Sequence, residues 1–103
     1  MNVLGDGPDA RHDRPASEVL HDEANVRIVC FHLLEGQSIP PHESDSTVIV
    51  EVISGTGVFR GAGADATLHA GQSAVFAPGE PHAIAAEQGP LRFRALITPR
   101  PGG

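Results

Sequence analysis

His42 and His82 are the residues of this chain whose surroundings best suit them for chemistry. His42 follows a pair of prolines, and His82 follows the turn sequence Pro78-Gly79-Glu80-Pro81. Because proline keeps the residue before it out of the helical region, the chain around His42 is predicted to be extended. Side chains alternate along an extended chain, which places His42 and Ser44 on one face. Imidazole nitrogens at such positions can hold Zn²⁺, Fe²⁺, Ni²⁺ or Mn²⁺, or exchange a proton.

Short apolar segments separated by glycine and proline must position these histidines. The 103 residues include 12 glycines and 9 prolines, a composition that favours many short strands over long helices. Thr47 to Ile53 is the strongest predicted strand because it is almost entirely β-branched. The sequence Ser54-Gly55-Thr56-Gly57 predicts a hairpin turn after it. Further strands are predicted at 17–21, 26–34, 58–60, 66–69, 73–76, 82–86 and 91–98. The pattern indicates a single all-β domain.

The glycines and histidines also form two motifs with fixed spacing. The first is a glycine, five residues, a histidine and a closing glycine, and the second is a glycine, a short strand, a turn glycine and a histidine. Their positions are Gly36, His42 and Gly55 in the first and Gly71, Gly79 and His82 in the second. This arrangement resembles the paired motifs of the cupin family over about residues 26–98. The chain departs from that family pattern at two metal-ligand positions, where it has Ser44 and Val48.

The resemblance implies a double-stranded β-helix, the cupin jelly-roll barrel, with His42 and His82 close together and pointing inward. Two imidazoles so placed would begin a site for a divalent transition metal (Zn, Fe, Ni or Mn), although tight sites need more protein ligands. His32 is a candidate third ligand, because a hairpin centred on Gly36 would pair it near residue 40. It shares a strand face with Cys30, and that face is expected to point inward. The predicted pocket lining is Cys30, Ser44, Val48, Val50 and Phe76.

Three functions agree with these residues. The first is a metal-dependent enzyme that acts on a small polar or phenolic molecule and holds its metal through His42 and His82. The second is a metal-free module that binds a small molecule in the barrel interior. The third is a structural or regulatory homodimer without chemistry of its own. Ile49 and Ile53 are predicted to lie on the outer face of their strand, so a homodimer is expected in each case.

Charge and composition argue against other classes of partner. The formal net charge is −6, and all seven basic residues are arginines without a basic cluster. Nucleic-acid binding depends on basic contacts to phosphates, so no nucleic-acid partner is expected. No apolar run is long enough to span a membrane, and no membrane partner is expected. Cys30 is the single cysteine and cannot form an internal disulfide, which favours a reducing cytoplasm.

The chain divides into three parts by composition and hydrophobic pattern. Residues 1–16 are polar and aperiodic and are predicted to form an arm that packs weakly or against a partner subunit. Residues 17–98 carry the predicted barrel. Residues 99–103 close the chain as a short tail.

Overall fold

The computed structural model describes residues 1–101, and these form an all-β domain, as the sequence predicts. Residues 1–101 contain no helix and therefore no helix long and apolar enough to cross a membrane. The eight strands are β1 (Ala16–Glu23), β2 (Val26–Leu33), β3 (Ser38–His42), β4 (Thr47–Arg60), β5 (Asp65–His69), β6 (Ser73–Phe76), β7 (His82–Ala85) and β8 (Leu91–Thr98).

Every strand pairing is antiparallel, and β4 belongs to two sheets. The first sheet has the order β1-β2-β8-β4-β6, and the second has the order β5-β4-β7-β3. Because β4 continues from one sheet into the other, the two sheets curl around one core. The buried side chains at its centre include Leu33, Val50, Val52, Leu91 and Phe93.

The hairpin turn predicted at Ser54-Gly55-Thr56-Gly57 is wrong, because β4 runs through this segment without reversing. The register with β8 shifts between Val52 and Ser54, and this irregularity bends the strand from the first sheet into the second. Gly55 has φ +80°, and a Cβ atom there would overlap the carbonyl group of Pro90. Glycine is therefore required for a close approach of two chain segments rather than for a turn.

Strand β2 buries both of its faces, and the inward face is the opposite of the predicted one. Phe31 points inward, where its ring stacks on Phe93 with centroids 4.9 Å apart. Cys30 and His32 lie on the outer face, although the sequence analysis expected them to face the interior. When both faces of a strand are covered, polar and apolar residues do not alternate along it, and the sequence does not indicate which face points inward.

The N-terminal arm covers the outer face of β2 and β8 in the same chain. The Cys30 thiol lies 3.5 Å from the carbonyl oxygen of Asp6, and Arg94 Nη2 donates to the carbonyl of Gly5 at 3.0 Å. Arg92 donates to the carbonyls of Asp6 and Pro8. The arm was predicted to pack weakly or on a partner, but here it forms several hydrogen bonds to its own barrel.

The predicted tail leaves the barrel at Pro99, and its last two residues, 102 and 103, lie outside the described residues. The buried Ser46 hydroxyl donates to the carbonyl of Pro99 at 2.6 Å. Arg100 forms an ion pair with Asp22 at 3.1 Å. These contacts bring Pro101 to the rim of the interior cavity.

Candidate functional site

A cavity of about 310 Å³ opens into the barrel between the two sheets. This volume is near the lower end of the range of about 300–1,000 Å³ that is common for small-molecule sites. Most of its lining is apolar, and the polar groups collect where β3 ends and β7 begins. The lining residues are Phe31, Ile39, His42, Glu43, Ser44, Val48, Val50, His82, Ile84, Phe93, Ala95, Ile97 and Pro101.

The polar end of the cavity is formed by His42 and His82, which are register partners on β3 and β7. Their ring centroids are 4.0 Å apart, and the ring planes cross at 62°. The turn before His82 is fixed to the segment after His42, because the amide of Gly79 donates to the carbonyl of Ser44 at 2.7 Å. Gly79 has φ +79°, a conformation that glycine adopts without strain.

In both imidazoles, Nδ1 is hydrogen-bonded to a backbone carbonyl, whereas Nε2 is not bonded to the backbone. His42 Nδ1 lies 3.2 Å from the carbonyl oxygen of Pro40, and His82 Nδ1 lies 3.0 Å from that of Glu80. A carbonyl oxygen only accepts, so each Nδ1 carries the hydrogen and donates it. In the neutral ring the lone pair is then on Nε2. Two acceptor nitrogens are thereby available at one end of an apolar cavity.

His82 is the more buried of the two rings, with 4% of its surface exposed, whereas His42 is exposed. The ring of Phe76 stacks on His82 with centroids 4.7 Å apart and an interplanar angle of 19°. Burial lowers the pKa of His82, since water no longer solvates the charged form, and the neighbouring His42 lowers it further. The lowered pKa favours the neutral ring, whose Nε2 can accept a hydrogen bond.

The carboxylate of Glu80 holds the turn that carries His82. It accepts hydrogen bonds from the amides of Ala77 at 2.9 Å and Ala62 at 3.1 Å. These two bonds favour the charged form and lower the pKa of Glu80. The carboxylate points to backbone amides rather than to the cavity, and its role is to position the turn.

The structure separates the predicted site residues into three groups. His42, His82, Ser44, Val48 and Val50 line the cavity. Phe76 stacks on His82 from the side and is not itself part of the lining. Cys30 and His32 lie under the N-terminal arm.

The hydrogen-bond partners of His32 do not line the cavity. Its Nδ1 lies 3.0 Å from Arg92 Nη2 and 3.2 Å from the carbonyl of Pro8. Nδ1 therefore accepts from the guanidinium in one tautomer and donates to the carbonyl in the other, and in both its partner lies outside the cavity. His32 is thus not brought to His42 and His82, and the three-histidine arrangement is not formed.

Sequence reasoning missed five large apolar side chains in the cavity wall, namely Phe31, Ile39, Ile84, Phe93 and Ile97. Phe31 lies between Cys30 and His32, so choosing the wrong inward face of β2 excluded it. Phe93 alternates with Arg92 and Arg94, and its inward direction could have been inferred from them. Ile39 could not be inferred in this way, because the register shifts between Ile39 and His42 and both line the cavity.

The residues at the cavity do not supply enough ligands to bind a metal ion tightly. Across residues 1–101, no group of three or more His, Cys, Asp and Glu side chains is arranged to hold one. Two imidazoles fall short of the three or four protein ligands usual at a zinc site. Ser44 supplies only a hydroxyl, and Val48 supplies no donor.

The family model described as "Cupin domain" matches residues 29–98, which is more than half of the chain. The chain therefore belongs to the cupin family, and the resemblance seen in its two motifs is confirmed. No curated protein matches the chain significantly.

Solved structures show the same fold at low sequence identity. The TT1209 protein of Thermus thermophilus is similar with a TM-score of 0.86 and 23% identity, covering 91% of each chain. KdgF from Halomonas sp. gives 0.81 and 20%, covering 93% of this chain and 89% of KdgF. The DMSP lyase DddQ from Ruegeria pomeroyi DSS-3 gives 0.79 and 22%, covering 84% of this chain and 47% of the lyase. These similarities confirm the predicted double-stranded β-helix and, at such identities, show the fold alone.

Proposed function

We propose that this cupin binds a small, largely apolar molecule that carries a hydroxyl group, a phenol being the simplest example. The observation that supports this is the pairing of an apolar cavity with two imidazoles whose Nε2 atoms are free to accept. The hydroxyl donates to Nε2 of His82, the more buried of the two rings, and the ring of the ligand lies against Val48, Val50 and Phe93. A phenol is small enough to enter the cavity and matches its polarity, an apolar body with one donor.

Phenol and anisole provide the first test, because they share a ring but only phenol has a hydrogen to donate. Titration with each compound, followed by amide NMR shifts, should show phenol binding roughly tenfold more tightly, since one buried hydrogen bond is at stake. The shifts should concentrate on β3, β7 and β8. Equal affinity for phenol and anisole would overturn hydroxyl recognition, and shifts outside these strands would overturn the assigned cavity.

His82→Ala and His32→Ala form a matched pair of variants for the same titration. His82→Ala should remove the preference for phenol over anisole, because it deletes the buried acceptor. His32→Ala deletes the same ring on the arm-covered face and should keep the preference. Loss of the preference in both variants would mean that neither imidazole acts by direct contact, which contradicts the proposal.

Weak binding of a divalent transition metal is the second candidate, with His42 and His82 as its protein ligands. One observation supports it: each ring donates Nδ1–H to a backbone carbonyl, as metal-bound histidines usually do. Calorimetric titration of chelator-treated protein with Zn²⁺ and Ni²⁺ tests it. A single site that is lost in His82→Ala and kept in His32→Ala supports this candidate, and the absence of heat in the wild type rejects it.

We also propose a reducing, cytoplasmic setting for the protein. The support is Cys30, the single cysteine of the chain, which is fully buried as a free thiol. Localisation of the tagged full chain in its native cell is the corresponding test, and an exported protein would contradict it.

A further inference from the structure

The interior cavity continues at its mouth into a second, polar hollow of about 410 Å³. Glu43, Ser44 and Pro101 line both spaces, so the two are joined there. Charged, hydroxyl-bearing and proline residues form the second hollow, whereas the interior cavity is mostly apolar. The remaining lining residues of the hollow are Asp45, Ser46, Pro99 and Arg100. A ligand whose apolar body lies inside the barrel therefore meets a polar region at the mouth.

Two exposed carboxylates, those of Glu43 and Asp45, lie at this mouth in the connection between β3 and β4. The connection is fixed to the barrel, because the carbonyl of Ser44 accepts from the amide of Gly79 at 2.7 Å. Among residues 1–101, neither carboxylate belongs to an ion pair. The mouth therefore carries negative charge for which the described part of the chain supplies no partner.

Arg100 is a cation in the lining of the second hollow, but it is paired elsewhere. Its Nε lies 3.1 Å from the carboxylate of Asp22, a residue that lines neither space. The same carboxylate accepts from Arg27 Nε at 3.3 Å. Arg100 is thus bound to Asp22 and forms no ion pair with Glu43 or Asp45.

An unsatisfied acceptor at the same end of the cavity points independently to a ligand. His82 is 4% exposed and lines the cavity. Its Nδ1 is bonded to the carbonyl of Glu80, and its Nε2 has no hydrogen-bond partner among residues 1–101. A buried acceptor without a partner costs free energy, which a donor on a ligand recovers. Glu43 directly follows His42, the register partner of His82, so the acceptor and the carboxylate belong to one end of the cavity.

We propose that the ligand of this cavity is a phenol-like molecule with a cationic substituent, and that Glu43 selects this charge. The inference rests on the proposed function, in which Nε2 of His82 accepts from the hydroxyl. A substituent that leaves the cavity meets Glu43 first, because Glu43 lines both spaces and Asp45 lines only the second. An ammonium group is attracted by the carboxylate of Glu43, and an anionic group is repelled by it.

Three compounds with the same ring and hydroxyl measure this preference, namely meta-hydroxybenzylamine, meta-hydroxybenzyl alcohol and meta-hydroxybenzoate. At pH 7 they are cationic, neutral and anionic, and the meta position keeps the substituent from bonding to the hydroxyl of its own molecule. NMR titration at low salt should rank the amine above the alcohol and the alcohol above the benzoate, each step being about threefold, as for exposed ion pairs. The differences should shrink at about 1 M salt, where charges are screened beyond about 3 Å. Equal affinities at low salt would overturn the inference.

Glu43→Gln and Glu35→Gln form a matched pair for the same titrations. Each variant removes one exposed carboxylate and changes the net charge equally, but Glu35 lines neither space. Glu43→Gln should reduce the ratio of amine to benzoate affinity from about tenfold to about threefold or less, and Glu35→Gln should keep it. An equal loss in both variants would attribute the preference to the net charge of −6 and overturn the role of Glu43.

Charge reversal gives the sharpest outcome. Glu43→Lys should bind the benzoate more tightly than the amine, whereas Glu35→Lys should keep the wild-type order, with circular dichroism checking that both variants are folded. A Glu43→Lys protein that still prefers the amine contradicts the inference. Phenol binding without any preference among the three compounds would overturn this inference alone, whereas the absence of phenol binding would overturn the proposed function and this inference together.

Discussion

Two regions of this protein hold imidazole rings against backbone carbonyls, and they differ in what remains available to a ligand. At the cavity, His42 and His82 donate Nδ1–H and keep Nε2 free of the backbone. On the arm-covered face, His32 Nδ1 lies within hydrogen-bond distance of both Arg92 Nη2 and the carbonyl of Pro8, and Arg92 Nη1 donates to carbonyls of the arm. The residue type is the same, but only the first region presents an unused acceptor to a cavity.

The difference follows from what covers each region. The cavity walls are mostly apolar side chains, which offer no hydrogen-bond partner to the Nε2 atoms of His42 and His82. The outer face of β2 and β8 is covered by an extended peptide, whose carbonyls can satisfy the donors beneath it. A histidine is therefore a better candidate for ligand binding where side chains surround it than where backbone does.

The largest expected effect comes from detaching the arm with Gly7→Val. Gly7 has φ +92°, and a Cβ atom there would overlap the side chain of Cys30. Strain and overlap together should lower the free energy of unfolding by about 2–3 kcal/mol, measured by urea denaturation. Cys30 should also react with a thiol reagent at least about a hundredfold faster, because it is fully buried in the wild type.

Gly5→Val is the matched control, since a Cβ atom at Gly5 has no heavy atom within 4 Å. This variant should keep both the stability and the slow thiol reaction. If Gly7→Val labels as slowly as Gly5→Val, the arm does not seal the outer face, and the contrast between the two regions fails.

His32→Ala is expected to have a smaller effect that is confined to stability. It removes the bond to Arg92, which should cost about 1 kcal/mol in the free energy of unfolding. Binding of phenol should be unchanged, because His32 is not part of the cavity lining. A large loss of phenol affinity would show that the arm-covered face and the cavity are coupled.

The contrast between the two regions also shows how far the sequence leads. The glycine and proline content and the β-branched segment at residues 47–53 predicted an all-β chain, because tight turns and pleated strands restrict residue types locally. The barrel itself was implied by the resemblance of the two motifs to the cupin family. The inward face of β2 could not be predicted, because Cys30 on the outer face is even more buried than Phe31 and the cover above it is a distant segment. Strand β4 continues through Gly55 because this glycine packs closely against Pro90. That contact joins residues distant in sequence, so the local sequence could not predict it.

The pH dependence of stability distinguishes the buried His82. Its pKa is lower in the folded protein than the ordinary value of 6.5, so the unfolded chain binds more protons below that pH. His82 therefore contributes stability that is fully present above about pH 6.5 and is lost as the pH falls through the folded pKa. Denaturation of wild type and His82→Asn between about pH 5 and 8 measures this. The wild type should lose more stability than the variant on acidification, and parallel curves would contradict the burial of an unprotonated ring.

Glu80→Gln is expected to give the smallest effect, and it tests whether the turn sets the geometry of His82. The amides of Ala62 and Ala77 donate to different carboxylate oxygens, and glutamine keeps only one acceptor oxygen. The pKa of Glu80 is lowered in the folded protein, so its contribution to stability is present above the ordinary value of 4.5 and is lost as the pH falls further. Solvent screening keeps this contribution small, because the group is accessible. Glu35→Gln removes an equal charge from an exposed position and keeps Glu80, so it should lose stability between about pH 6 and 3 as the wild type does, whereas Glu80→Gln should lose less. If Glu80→Gln also weakens phenol binding while Glu35→Gln does not, the carboxylate positions His82 through the turn; unchanged phenol affinity would limit Glu80 to holding the turn itself.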